Sequence, residues 1–285
     1  MTPSQRLKEI ILKAEQIIED FEIDESKIEE YNDESGEDLS VEQLRKMFKQ
    51  AIVNYIDINS KVEYKGDTHI PLGSSKLYGL PHLPDSIDFP EDQVFFAQIN
   101  LSDIAECDAN NVFPNKGIIY FFGDYYGDGA CFTYYYDGPI DTLKIKEYPK
   151  SEYLEASSIS LFMKNNRLEP IEFSRYSGGV SFDFTMAGCD NDPIIDIAEK
   201  LEKVLKKKLG NDISDPTYDC YLLGSPTFWQ EEEEDFDPDT SKLVFCIGYE
   251  DGNYNYFVNA ENGIVNTDEV FVQDGFDSYA IYSGT

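Results

Sequence analysis

The chain has 285 residues, which is room for one large or two coupled hydrophobic cores. Its 56 Asp and Glu outnumber 23 Lys and Arg for a formal charge of -33, a field that repels phosphate backbones and excludes a general nucleic-acid binder. Hydrophobic residues at 41% and aromatics at 14% exclude wholesale disorder, and two histidines exclude any site built on three imidazoles.

Thr2, Pro3 and Gln5 read as a capping box with proline at the first helical position. Leu7, Ile10, Ile11, Ala14, Ile17, Ile18 and Phe21 then recur at three and four, which predicts an amphipathic helix. Acids crowd residues 19–38, with Lys27 the only base and a turn at Ser35-Gly36. This stretch reads as a solvated connector, with a docking surface for a cation as the functional alternative. A second capping box at Ser40 and Gln43 opens another helical stripe of Leu44, Met47, Phe48, Ala51 and Tyr55. Residues 1–60 are therefore expected to form a helical segment packed on an α+β domain at 61–285.

From about Val62 to Phe184, aromatic and β-branched runs alternate with Gly, Pro, Asn and Asp, the texture of strands and turns. Strands are expected at 94–99, 117–122, 130–136, 143–145 and 180–184. Asp192 and Pro193 open a helix whose stripe ends at Leu209, before a Gly210 stop and after last-turn lysines at 206–208. The run Glu231-Glu232-Glu233-Glu234-Asp235 reads as an exposed loop, and strands at 243–248 and 254–258 flank a hairpin turn at Asp251-Gly252-Asn253. The order Gly-x-Pro, apolar strand, aromatic strand occurs after Gly79-Leu80-Pro81 and again after Gly224-Ser225-Pro226. It suggests two related halves, 61–189 and 211–285, joined by the helix at 192–209.

The five cysteines (107, 131, 189, 220 and 246) form no C-x-x-C pair and are odd in number, so they read as buried thiols in a reducing compartment. Charges at the N-terminus and the lack of an uncharged stretch near the roughly 20 residues of a membrane span lead us to expect a cytoplasmic protein without membrane partners.

The run Ser75-Lys76-Leu77-Tyr78-Gly79-Leu80-Pro81-His82-Leu83-Pro84 is followed by Phe89-Pro90, Val94-Phe95-Phe96-Ala97-Gln98-Ile99-Asn100-Leu101 and Phe113-Pro114-Asn115-Lys116-Gly117-Ile118. With Leu222-Leu223-Gly224-Ser225-Pro226 and Gln230, this ordered set closely resembles the YwqG-like family of uncharacterised bacterial proteins. Phe89 stands where that family usually carries tryptophan. The resemblance implies an α+β fold with antiparallel sheets and N-terminal helices, and a distant tie to ribosome-assembly factors of the PDCD-two and Tsr-four type. It supplies no catalytic residues.

No nucleophile elbow, P-loop, zincin motif, EF-hand or dinucleotide fingerprint occurs in the sequence. The chain is accordingly read as a non-enzymatic module that binds a basic protein, chaperone-like or toxin-immunity-like, without cofactor. Tyr78, Gln98, Asn100, Tyr125, Tyr126, Trp229 and Gln230 are its candidate binding residues. Gln98 and Asn100 share one strand face, where they serve either a peptide main chain or buried loop carbonyls. A metal-assisted hydrolase using His82, Asp124 and Asp128 is the alternative, and a small-ligand sensor walled by aromatic strands is a third reading.

Overall fold

A computed structural model describes all residues except 64–65, 125–130, 151–170, 186, 190, 217–219, 229–239, 250–251, 262–264, 273–274, 277 and 285. Three helices open the chain: α1 (Pro3–Asp20), α2 (Glu25–Ser35) and α3 (Val41–Gln50). Both capping boxes form. Gln5 N–H donates to Thr2 Oγ1 at 3.3 Å while Thr2 N–H donates to Gln5 Oε1 at 3.0 Å, and Ser40 and Gln43 repeat the arrangement. The acidic connector is helical over α2, which buries Ile28 and stops at Gly36 in the left-handed region.

The strand β1 (Ile52–Glu63) follows directly, so Tyr55 belongs to a strand and not to the α3 stripe. The spacing of Ala51 and Tyr55 suits a helix, but the run from Ile52 to Ile58 is rich in β-branched and aromatic residues, and sheet pairing decides it. Residues 1–60 thus contain most of a central strand and are not a helical unit.

The remaining strands are β2 (Lys76–Leu77), β3 (His82–Leu83), β4 (Gln93–Asn100), β5 (Ile118–Asp124), β6 (Phe132–Tyr136), β7 (Lys144–Ile145), β8 (Ile171–Phe182), β9 (Cys220–Leu223), β10 (Ser241–Tyr249), β11 (Gly252–Asn259), β12 (Phe271–Val272), β13 (Gly275–Phe276) and β14 (Ser278–Gly284). Helices α4 (Leu101–Ile104), α5 (Asp192–Leu209) and α6 (Thr267–Val270) lie between them. Asn191 occupies the cap expected at Asp192, with Pro193 in the first turn and Gly210 ending α5. The fold is α+β, built on a ten-stranded antiparallel sheet of order β14-β11-β10-β9-β1-β8-β2-β4-β5-β6.

This sheet folds over on itself. Phe121 of β5 packs on Phe245 of β10 with ring centroids 4.4 Å apart, and Phe96 of β4 packs on Tyr254 of β11 at 5.0 Å. The Tyr254 hydroxyl donates to the Asp124 carbonyl at 2.6 Å, and the Thr133 and Ser278 hydroxyls bond between the two end strands β6 and β14. One face is thereby buried against itself. On the other, α1, α2, α3 and α5 close over a second core containing Ile18, Ile28, Phe48 and Leu201.

Outward from the β1–β8 ladder, the pairing runs alike in both directions. Ile56 faces Gly178 and Glu63 faces Ile171. Leu222 of β9 pairs with Ile56, as Leu77 of β2 pairs with Ile171. Each leucine is followed by two residues of positive φ, Tyr78 and Gly79 (56° and 74°) or Leu223 and Gly224 (58° and 84°), leading into the Gly-x-Pro turns. Lys76 lies opposite Gln98, and Tyr221 opposite Cys246. Lys76 Nζ bonds the Leu80 carbonyl, and Tyr221 Oη bonds the Ser225 carbonyl at 2.7 Å. In this arrangement β1 holds in one wing the place that β8 holds in the other, which differs from a division at 61–189 and 211–285.

The β1–β8 ladder tolerates no side chain at Gly178, where a Cβ would stand 2.6 Å from Leu7 Cδ1 and 3.0 Å from the Cys107 carbonyl oxygen. Gly178→Ala is expected to destabilise the fold by about 1–3 kcal/mol. Gly66→Ala, with open space around its Cβ, should change stability by less than about 0.5 kcal/mol. Urea midpoints of the two variants check both values.

Candidate functional site

The Gly-x-Pro segment is held by a buried polar network. Lys76, fully buried on β2, donates from Nζ to the Asp67 carboxylate and the Leu80 carbonyl and lies 5.6 Å from the Phe95 ring centroid. Burial lowers its pKa, opposed by the Asp67 charge. Asp67 Oδ1 also accepts the Leu80 N–H at 2.9 Å. Beside it the fully buried His82 donates its backbone N–H to Gln98 Oε1 at 2.8 Å and accepts the Tyr120 hydroxyl on its carbonyl at 2.7 Å. Gln98 Nε2 donates to the Ser74 carbonyl at 2.7 Å. The Gln98 amide therefore satisfies loop groups and is not presented to a peptide.

His82 Nδ1 accepts the Gly73 N–H at 3.2 Å, which fixes the proton on Nε2. The lone pair a metal would need is thus already engaged. Asp124 ends β5 four residues beyond Tyr120, about 13 Å along an extended strand. His82 and Asp124 are therefore not brought together, and Asp128 lies outside the described residues. Among the described residues no group of three His, Cys, Asp or Glu is placed to hold a metal ion. All five cysteines are free, and burial pushes the Cys131 thiol up to about 11 and raises Cys107 as well, so neither is a ready thiolate.

Of the other sequence candidates, Tyr78 is half-buried against the inner core, where burial raises its phenol pKa. Tyr125, Tyr126, Trp229 and Gln230 lie outside the described residues. Asn100 is placed at an opening. Its Nδ2 donates to the Gly73 carbonyl at 3.0 Å, and its Oδ1 caps α4 by accepting the Ser102 N–H at 3.2 Å. It lines a cleft of about 560 Å³ with Leu72, Ser75, Asp103, Glu172 and Tyr176. Sequence reasoning missed those last five residues, because α4, the 72–75 loop and β8 meet only through sheet pairing. The Ser75 hydroxyl accepts the Asn100 N–H at 2.7 Å and donates to Asp103 Oδ2 at 2.8 Å. Burial raises the Asp103 pKa, the Ser75 bond opposes this, and the Glu172 charge adds to it.

The helical layer carries a different feature. From Glu19 to Asp38 there are eleven carboxylates, every one exposed. Lys27, the only base in this stretch, is tied to Glu30 at 2.8 Å and Asp196 at 3.6 Å. The α1–α2 corner is therefore rich in exposed carboxylates, although Lys49 pairs with Glu19 at 2.5 Å and Arg45 bonds the Phe21 carbonyl at 2.8 Å from the neighbouring α3.

Residues 75–266 match the family described as a domain of unknown function, DUF1963. The chain belongs to the DUF1963 family. The matched segment starts at Ser75 and takes in Lys76, His82, Gln98 and Asp103, whereas the anionic α1–α2 corner and β1 precede it. No curated protein matches the chain. Among the described residues no helix is long and apolar enough to cross a membrane.

Asp67→Ala leaves the Lys76 ammonium buried without a counter-charge and should cost about 3 kcal/mol, much of which the added Lys76→Met should recover. Urea unfolding of the single and double variants checks this. Burial, followed by the Lys76 charge, depresses the His82 imidazole from 6.5 to about 4. The unfolded chain therefore binds the proton first, and stability present above pH 6.5 declines as pH falls towards 4. Between pH 7 and 5 the share carried by His82 is about 2 kcal/mol. Denaturation at both pH values, with His82→Gln flattening that share, is the measurement.

Proposed function

We propose that this DUF1963 protein is a non-enzymatic cytoplasmic module that binds a basic protein partner on its α1–α2 surface. The observation that carries this reading is the exposure of all eleven carboxylates between Glu19 and Asp38, with their one lysine already paired. Leu12, 62% exposed on α1, stands one helical turn from Glu15 and Gln16. An exposed leucine on the helix that leads into the acidic corner, flanked by Lys8 and Lys13 as well as Glu9 and Glu15, suits an amphipathic segment, with the corner's charge steering encounter and Leu12 anchoring it. Most of the large described aromatics fill the cores, and Phe132 is left 42% exposed. Within DUF1963 the motif set favours the YwqG-like proteins, whose distant tie to ribosome-assembly factors puts cationic ribosomal proteins among the partner candidates. Basic toxins are the other class.

The test uses a cationic amphipathic helical peptide and the full chain carrying Glu25→Gln, Glu29→Gln, Glu30→Gln, Asp33→Asn and Glu34→Gln. The wild type is expected to bind the peptide at roughly 50 mM salt and lose at least about tenfold in affinity at roughly 500 mM, and the variant to lose a similar factor at low salt. Equal binding by the wild type and a folded variant would overturn the proposal.

A further inference from the structure

We infer that Lys242 is an acylation site, an amine that accepts a short acyl group from an acyl phosphate or a thioester. Lys242 lies on β10 directly opposite Val258 of β11, and its neighbours Ser241 and Leu243 are both buried. Cross-strand partners share a face of the sheet. Val258 belongs to the inner core with Val244, whereas Leu243 and its own partner Phe257 belong to the cluster on the outer face. The half-buried Lys242 side chain is therefore set toward the inner core.

The contrast with Lys76 is chemical. Lys76 Nζ is answered by the Asp67 carboxylate and the Leu80 carbonyl, while Lys242 has no hydrogen bond or ion pair among the described residues. Its Nζ is nevertheless open to water. The charge that reaches it is that of Asp108, in the loop that brings Val112 and Phe113 into the same core. That carboxylate is engaged by its own loop, taking the Phe113 N–H on Oδ2 at 2.8 Å, and it makes no ion pair with Lys242. Burial lowers the Lys242 pKa, opposed by the Asp108 charge. More free amine is then present at neutral pH than on an exposed lysine, and the free amine is the nucleophile.

In the reaction the Nζ lone pair attacks the acyl carbon and a C–N bond forms as the C–O or C–S bond breaks. The bonding pair leaves with phosphate or thiolate, and the Nζ proton passes to water. The product suits the site, because a neutral amide replaces an ammonium that has no acceptor beside Val258. Partial burial limits the donor to a small molecule. Lys242 lies inside the DUF1963 segment and its chemistry does not depend on the α1–α2 acids.

The full chain is treated with acetyl phosphate or with the acetyl thioester of N-acetylcysteamine, which separates the two sources, and acetylation of each lysine is followed by peptide mass spectrometry from roughly pH 7 to 11. At pH 7 Lys242 is expected to react at least about tenfold faster than the exposed Lys200 and Lys207 with one donor or both. This excess should vanish above pH 10.5, where exposed lysines also lose their protons. Asp108→Asn keeps an acceptor for the Phe113 N–H and removes the charge that holds the ammonium, so it should raise the pH 7 rate at Lys242 by about threefold or more. Its urea midpoint confirms folding, and the wild-type pH profile decides the matter without it. Lys242→Gln, which stands for the acylated state, should raise the urea midpoint. A Lys242 rate no greater than that of Lys200 at pH 7 with either donor, or one that follows pH as the exposed lysines do, would overturn the assignment.

Discussion

The antiparallel ladder between β1 and β8 is the constraint on which the rest of the molecule depends. Its backbone hydrogen bonds join the two wings of the sheet, and it runs over almost the full length of both strands. Its outer side must also accept α1, which is why Gly178 leaves room for Leu7 and the Cys107 carbonyl. With the wings fixed at this hinge, their aromatic faces meet. Phe121, Phe245 and Tyr256 then form a dry interior, with the tyrosine hydroxyls finding backbone carbonyls across the interface.

The second constraint is polar. A fully buried lysine is tolerable only with its charge and its donors answered, and Asp67 and the Leu80 carbonyl answer them. In doing so they pin the loop on either side of β2. Ser75, next to Lys76, passes its carbonyl to Phe173 N–H at 2.9 Å and its hydroxyl to Asp103. The buried ion pair therefore also sets the wall of the open cleft. His82 and Gln98, which in sequence look like chemistry, are part of the same support.

The two acidic features of the protein have different origins in the fold. The α1–α2 surface precedes the DUF1963 segment and rests on helices whose inner stripes are consumed by α5 and the sheet, so their outer faces are left to carboxylates. Asp103 lies inside the segment and is held by its loop.

The sequence by itself determined the local elements. The capping boxes at Thr2 and Ser40, the stripe of α5, its Gly210 stop and the strands around Val94, Ile118, Leu243 and Tyr254 are all legible because each is set by neighbours three, four or two residues away. The α+β class follows from their sum. Only tertiary structure decided that Tyr55 lies in a central strand, since pairing with β8 and β9 overrides a spacing that also fits a helix. Only tertiary structure turned Gln98 and His82 inward and joined Ser75, Asp103 and Tyr176 around one cleft. These groups are brought together by hydrogen-bond register between strands distant in the chain, and no local periodicity encodes that register.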